Sequence, residues 1–193
     1  PGRYAGGTGT TLGLTEIGKS LLKEMERLGV VLDLTHCSDE SFWEALEIYS
    51  GPVMASHQNC RALVDNQRQF SDDQIRAVIE RDGVLGTALD AWMLVPGWQI
   101  TTRPNPNNPR VTMEHVVDHI DHVCQVAGNT RHAAIGTDLD GGFGLDQTPN
   151  DYDTIADLQK LNGLLAKRGY SEDDIAAIMH GNWLRLFNRV WSK

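Results

Sequence analysis

Three short apolar runs, each followed closely by a side chain suited to metal or acid–base chemistry, constrain the fold of this chain more than any other feature. The runs lie at residues 30–34, 53–56 and 133–137, and the side chains that follow them are His36, His57 and Asp138. Apolar runs without helical periodicity are typical of strands buried on both faces of a parallel sheet. Because the carboxyl ends of parallel strands lie at one edge of a sheet, we expect these side chains to converge there.

Strand and helix patterns alternate along the chain. Strands are predicted at residues 30–34, 53–56, 84–89 and 133–137. Helices with one apolar face are predicted at residues 14–28, 40–49, 71–80, 112–128, 153–167, 171–179 and 182–191. This alternation predicts an α/β fold with about four parallel strands and covering helices. We expect a single domain over residues 1–193, of which residues 1–12 are flexible.

Composition and charge exclude some classes of function. The 193 residues include 26 acidic and 17 basic side chains, a formal net charge of −9, and no basic cluster. Since nucleic-acid surfaces need clustered lysine and arginine, no nucleic-acid partner is expected. No apolar stretch approaches the roughly 20 residues that cross a bilayer, and no signal peptide is visible, so we expect a soluble chain without a membrane segment. Its compartment is left open between the cytoplasm and, in a bacterium, the periplasm.

Two further features of the sequence concern processing and the thiols. The chain lacks an initiator methionine, which indicates a trimmed or partial product. Cys37, Cys60 and Cys124 are an odd number without paired spacing, which predicts reduced thiols. Cys37 adjoins His36, but neighbouring side chains of an extended segment point to opposite faces, so Cys37 is not interpreted as a nucleophile.

The two histidines at equivalent ends of successive strands favour metal ligation over ordinary hydrogen bonding in loops. His36 and His57, together with a carboxylate, suit zinc or a similar divalent ion, although a tetrahedral site needs at least one more protein ligand. The sequence GTDLDGG at residues 136–142 lacks the further oxygen ligands of a calcium loop. Asp138, the first residue past the strand, is therefore predicted to be a catalytic aspartate.

Three more histidines lie on the predicted helix 112–128. His115, His119 and His122 occupy positions i, i+4 and i+7, which share one helix face and could bind a metal. Apolar residues of the same helix, such as Val116 and Ile120, define the buried face elsewhere. We therefore interpret the histidines as a solvated polar face.

Six stretches of the chain also carry a resemblance to a known family. They are GLTEIG at 13–18, DLTH at 33–36, ASH at 55–57, Arg68, GTDLDG at 136–141 and GNWLRLF at 181–187. In order and spacing they resemble the carboxyl-terminal half of the renal (membrane) dipeptidase family of zinc peptidases. The resemblance implies half of a distorted (β/α)8 TIM-like barrel that holds two zinc ions and hydrolyses dipeptides.

The same resemblance implies a role for each matched side chain. His36 and His57 correspond to the two histidines that ligate one of the zinc ions, Arg68 to the arginine that holds the carboxylate of the substrate, and Asp138 to the acid/base aspartate. The other zinc ligands of the family, including a bridging glutamate, lie upstream of the matched region and are not in this chain. Two metals would acidify a water and polarise the scissile carbonyl, while the aspartate passes the proton to the leaving amine.

We therefore expect a zinc-dependent dipeptidase, present as the carboxyl-terminal half of its barrel. The alternatives are a non-catalytic half-barrel that associates with a partner or itself, and another metal-dependent amidohydrolase. Unpaired strand edges at residues 30–34 and 133–137 and an exposed inner face predict a homo-oligomer or a complex with an amino-terminal half. Several of the following strand side chains are expected to belong to this inner face: Val31, Leu34, Val53, Ala55, Leu85, Thr87, Ala134 and Ile135.

Overall fold

The sheet consists of four short parallel strands in the order in which they occur along the chain. The computed structural model describes residue 9, residues 11–101 and residues 105–192. The strands are β1 Leu32–Asp33, β2 Val53–Ala55, β3 Val84–Thr87 and β4 Ala133–Ile135. Their order is β1-β2-β3-β4, and every neighbouring pair is parallel. The α/β fold class with four parallel strands and covering helices is thus confirmed, and β1 and β4 are the sheet edges among the described residues.

The strands are shorter than predicted because polar side chains end the ladder before the apolar runs end. Asp33, for example, accepts a hydrogen bond from the backbone N–H of Thr35, which turns the chain directly after β1. Most of the predicted flexible segment 1–12 lies outside the described residues. Within it, the carbonyl of Leu12 accepts hydrogen bonds from the hydroxyls of Ser38 and Ser41.

Helices begin where the sequence supplies caps. They are α1 Glu16–Leu28, α2 Asp39–Ile48, α3 Asp72–Glu80, α4 Ala91–Leu94, α5 Met113–Ala127, α6 Lys160–Lys167, α7 Glu172–Ala176 and α8 Asn182–Trp191. Thr15, Ser38 and Ser71 accept capping hydrogen bonds at the starts of α1, α2 and α3, as their positions predict. The predicted helix 153–167 is instead a 3₁₀ segment, Ile155–Gln159, followed by α6. No helix of the described residues is both long and apolar enough to cross a membrane.

Both faces of the sheet are covered. One face packs in the large core with α2, α3 and α5, through side chains such as Phe42, Ile75 and Val117. The other face packs on α8, where Leu186 lies with Val84 and Ala134 in a second buried cluster. The amphipathic pattern of α8 explains this contact, since its apolar residues recur at helical spacing.

The expectation of an exposed apolar sheet face is wrong for most of the side chains named. Leu34, Val53, Ala55, Leu85, Thr87 and Ala134 are buried. Val31 and Ile135 are half-buried. The physical reason is that Leu34, Val53, Ala55 and Leu85 belong to the large core that α2, α3 and α5 cover, while Ala134 packs in the cluster beneath α8.

His119 corrects the interpretation of the histidine face of α5. Its side chain is fully buried, because the loop after β2 and the end of α4 pack over it. Its Nδ1 accepts a hydrogen bond from the backbone N–H of Cys60, and its Nε2 lies 3.3 Å from the carbonyl oxygen of Leu94. His122 instead pairs with Asp72 at 2.8 Å. His119 therefore joins two loops to the helix, and only its neighbours lie on the solvated face.

We expect His119 to make the stability of the chain sensitive to acid. Burial lowers the pKa of His119 from 6.5 to about 4, so between these values the unfolded state binds a proton that the folded state does not. Stability contributed by the neutral ring is therefore complete above pH 6.5 and lost as the pH falls towards 4, by about 3 kcal/mol. The measurement is the free energy of unfolding in urea from pH 7 to pH 4, compared with His119→Gln, which keeps a donor and an acceptor but does not titrate. Parallel curves for the two proteins would contradict the assignment.

Candidate active site

Four predicted site residues lie together at the carboxyl edge of the sheet. His36 follows β1, His57 and Arg68 follow β2, and Asp138 follows β4. The ring centres of His36 and His57 are 5.1 Å apart, with the rings inclined at 63°. Oδ1 of Asp138 lies 3.9 Å from Nε2 of His57. Nη2 of Arg68 lies 3.4 Å from Nε2 of His36 and donates to the carbonyl oxygen of His57 at 3.0 Å.

His36 and Asp138 both occupy tight turns with a left-handed backbone. Their φ angles are 67° and 60°. Such values cost a non-glycine residue roughly 1–2 kcal/mol, so they persist only where neighbouring contacts stabilise the turn. At Asp138 the turn is closed by its carbonyl, which accepts a hydrogen bond from Gly141 at 2.8 Å. At His36 the turn is closed by the backbone N–H of Cys37, which donates to the carbonyl of Leu34 at 3.2 Å, and the Asp33 carboxylate accepts from the N–H of Thr35 just before it.

The ring of His57 has a defined orientation. Its Nδ1 lies 2.8 Å from the hydroxyl oxygen of Ser56, and its backbone N–H donates to the hydroxyl of Thr35 at 3.3 Å. Burial lowers the pKa of His57, although the charge of Asp138 opposes the shift. A neutral imidazole is the form that binds metals. The pairing of Nδ1 with Ser56 leaves Nε2 on the side of Asp138.

Arg68 is a buried cation. It is only 4% exposed, and its Nη1 donates to Oε1 of Gln58 at 2.5 Å, while Nε2 of Gln58 donates to the backbone carbonyl of Arg68 at 2.8 Å. Burial lowers the pKa of Arg68 to about 10, so it stays charged at neutral pH. Among the described residues, no carboxylate oxygen lies within 4.0 Å of its nitrogens. Buried charges are normally paired, so this guanidinium is suited to an anionic ligand.

Asp90 is a site neighbour that the sequence analysis missed. It follows the third apolar run, residues 84–89, as closely as the other site residues follow theirs. It is 7% exposed; its Oδ2 accepts from Nε1 of Trp92 at 2.7 Å, and its Oδ1 has no partner in the described part of the chain. Burial raises the pKa of Asp90 to about 6, with smaller influences from Asp138 and Arg68. The rule that predicted His36, His57 and Asp138, namely a polar side chain directly after an apolar strand, applies to Asp90 as well.

The cysteines offer no competing nucleophile. Cys37, Cys60 and Cys124 are unpaired. Burial raises the pKa of Cys37 to about 11, which disfavours the reactive thiolate next to His36.

The two histidines fit part of a metal site. Because a zinc–nitrogen bond is about 2.1 Å long, two imidazoles on one tetrahedral zinc have ring centres about 5 Å apart. The separation of 5.1 Å between His36 and His57 matches this value. Over the described ranges, no group of three or more His, Cys, Asp or Glu side chains could hold a metal ion. The donors present are therefore suitable in kind but too few for a complete site.

The sequence is similar to proteins of one family. A model of the membrane dipeptidase family, peptidase family M19, matches residues 3–192. An uncharacterised dipeptidase of Schizosaccharomyces pombe is 33% identical over 181 residues, which are 94% of this chain and 41% of the relative. An uncharacterised protein from the pqqA 5′ region of Klebsiella pneumoniae is 30% identical over 193 residues, covering 100% of this chain and 66% of the relative.

Solved structures of the same kind share the fold. The crystal structure of a family M19 dipeptidase matches with a TM-score of 0.81 and 28% identity, over 95% of this chain and 51% of the other. A metallo peptidase from Rhodobacter sphaeroides, liganded with a phosphinate mimic of the dipeptide L-Ala-D-Ala, matches with a TM-score of 0.80 and 28% identity, over 94% of this chain and 48% of the other. The chain thus spans about half the length of these structures.

Proposed function

Because the chain belongs to the membrane dipeptidase family, we propose that it supplies part of the active site of a zinc-dependent dipeptidase. The observation that carries the proposal is the convergence of His36, His57, Arg68 and Asp138, from separate loops, at one edge of the sheet. The remaining ligands belong to the part of the family's barrel that this chain does not span, and the complete centre is binuclear.

In this proposal His36 and His57 are ligands of one zinc ion. When bound, zinc supplies a water of lowered pKa and polarises the carbonyl of the peptide bond. The depressed pKa of His57 keeps its ring neutral and able to ligate, and Ser56 orients the ring.

Arg68 binds the carboxylate of the substrate. Its charge is buried and lacks a carboxylate partner within the described residues, so a carboxylate that enters the site meets a cation with little water around it. Gln58 accepts from Nη1 and the carbonyl of His57 accepts from Nη2, so both terminal nitrogens are held in place and each keeps a further N–H for a carboxylate. This requirement favours substrates whose free carboxylate lies close to the scissile peptide bond, as it does in dipeptides. The lack of a carboxylate within 4.0 Å of Arg68 among the described residues favours this role over a non-catalytic half-barrel.

Asp138 carries the proton. Its carboxylate is partly exposed and lies 3.9 Å from Nε2 of His57, at the position where the two imidazoles converge. From there it can accept a proton from the attacking water and deliver it to the amine that leaves.

Zinc binding by this chain tests the proposal. Two ligands without a bridging carboxylate are expected to bind zinc weakly, with at most one ion per chain, and His36→Ala or His57→Ala should remove that binding. Titration with zinc against a chromophoric chelator measures both affinity and stoichiometry, and His180→Ala, at an exposed histidine outside the candidate site, is a matched control. Two tightly held ions per isolated chain, or binding that survives both substitutions, would contradict the assigned ligands.

We also propose that another copy or an amino-terminal half covers the edge of the sheet at β1. Next to this edge, α1 exposes the apolar side chains of Ile17, Leu21 and Leu28. Leu28 and the exposed Trp191 of α8 line a cleft of about 750 Å³. Unpaired strand edges beside exposed apolar side chains promote association.

The purified chain is therefore expected to self-associate when no other half is supplied. Sedimentation equilibrium at micromolar concentration should give a dimer or a larger species, and Leu28→Glu together with Ile17→Glu should shift it towards the monomer. A stable species of 21.4 kDa for the unaltered chain would contradict the proposal.

A further inference from the structure

We propose that Asp33 is a positioning residue that fixes His36 and His57 relative to each other. This inference rests on the proposed function, in which the two histidines share one metal ion. Asp33 itself is not placed among the ligands, because both hydrogen bonds recorded for its carboxylate are to backbone groups of this chain.

One carboxylate oxygen of Asp33 joins the two loops that carry the histidines. Its Oδ1 accepts a hydrogen bond from the backbone N–H of Thr35, one residue before His36, at 3.0 Å. The same oxygen accepts a hydrogen bond from the backbone N–H of Ser56, one residue before His57, also at 3.0 Å. β1 and β2 are paired through so few residues that this bridge continues the connection between them beyond the ladder.

The residues bridged by Asp33 contact His57 directly. The hydroxyl of Thr35 accepts from the backbone N–H of His57 at 3.3 Å and lies 3.5 Å from the hydroxyl of Ser56. The hydroxyl of Ser56 lies 2.8 Å from Nδ1 of His57. A displacement of the Ser56 backbone would therefore rotate the ring of His57.

Ser56 is also confined from its other side. Its carbonyl oxygen lies so close to Gly86 and Gly136 that a Cβ at either glycine would overlap it. Asp33 at the N–H of Ser56 and these two glycines at its carbonyl therefore restrict the backbone of Ser56 from both sides. The absence of a side chain at both glycines is what allows the close approach.

Asp33 also stabilises the turn of His36. Hydrogen bonds from backbone N–H groups to a carboxylate are among the stronger ones in proteins. The bond to Thr35 fixes the start of the turn in which His36 adopts its left-handed φ of 67°, and a bond from the backbone N–H of Cys37 to the carbonyl of Leu34 closes that turn. Without the bond to Asp33, one of the two contacts that hold this turn is lost, and we expect the ring of His36 to shift from its position 5.1 Å from the ring of His57.

The test compares zinc affinity and ring state in three variants of the whole chain, well below their unfolding temperatures. Asp33→Ala removes the bridge, Asp33→Glu keeps the charge but displaces the oxygen, and Asp33→Asn keeps an acceptor oxygen at the same place. Removal of a residue that supports a metal ligand typically lowers metal affinity by about 10- to 100-fold. We expect a loss of zinc affinity of this size for the alanine and glutamate variants, and a loss of less than about 3-fold for the asparagine variant. Asp140→Asn removes a nearby exposed charge that also acts on His57 and should change little.

A second readout needs no metal. The imidazole nitrogen-15 signals of His57 should report one tautomer in the unaltered chain and in Asp33→Asn, and a mixture in Asp33→Ala. A merely structural role would lower the unfolding temperature and leave zinc affinity and these signals unchanged, which would overturn the inference. If instead zinc binding does not depend on His36 and His57 at all, the proposed function fails, and the nitrogen-15 comparison still decides whether Asp33 orients the ring.

Discussion

Asp138→Asn is expected to lower kcat for dipeptide hydrolysis by about 100- to 10,000-fold in the assembled enzyme, with a much smaller change in KM. The amide has the shape of the carboxylate but cannot take up and release the proton at 3.9 Å from His57. Steady-state kinetics on a dipeptide such as Ala-Ala measure the effect.

Asp140→Asn is the matched control for this experiment. Asp140 lies two residues away and is exposed, so kcat should stay within about 2-fold of the unaltered enzyme. Comparable losses in both variants would indicate a general effect of charge near the site and would count against Asp138 as the proton carrier.

Arg68→Lys is expected to raise KM for dipeptides by about 10- to 100-fold, the loss typical of a charged hydrogen bond. A lysine ammonium cannot form the two parallel bonds that a planar guanidinium makes to a carboxylate, and it would leave Oε1 of Gln58 without its present donor. The same enzyme acting on a dipeptide amide, which lacks the carboxylate, should show little further change.

The ratio of the KM values for the dipeptide and its amide separates a loss of carboxylate binding from a general disturbance of the active site. Arg61→Lys is the control, because Arg61 lies in the same loop but pairs with Asp39 instead of facing the histidines. An equal rise in KM for the dipeptide and its amide in Arg68→Lys would show that Arg68 has another role.

The positions of His36, His57 and Asp138 could be predicted because a parallel sheet brings the carboxyl ends of its strands together whatever the details of packing. Asp90 obeys the same rule and could have been predicted too. Arg68 is different, since it lies eleven residues beyond His57 in an aperiodic loop. Only the family resemblance drew attention to it, and its burial required the structure.

Features that depend on which loop packs on which helix were not predictable. His119 stands beside the apolar stripe of α5, and it is buried because Cys60 and Leu94, distant in sequence, pack over it. Local periodicity contains no information about those contacts. The role proposed for Asp33 likewise depends on a backbone N–H twenty-three residues away.

The covering of the sheet by α8 has a consequence for synthesis. All four strands precede α8 in the chain, so on the ribosome the face that carries Val84 and Ala134 is made long before Leu186 is available to cover it. Parallel strands that await a distant partner form slowly and expose apolar surface in the meantime. The nascent chain therefore leaves this apolar face of the sheet uncovered until α8 has been made.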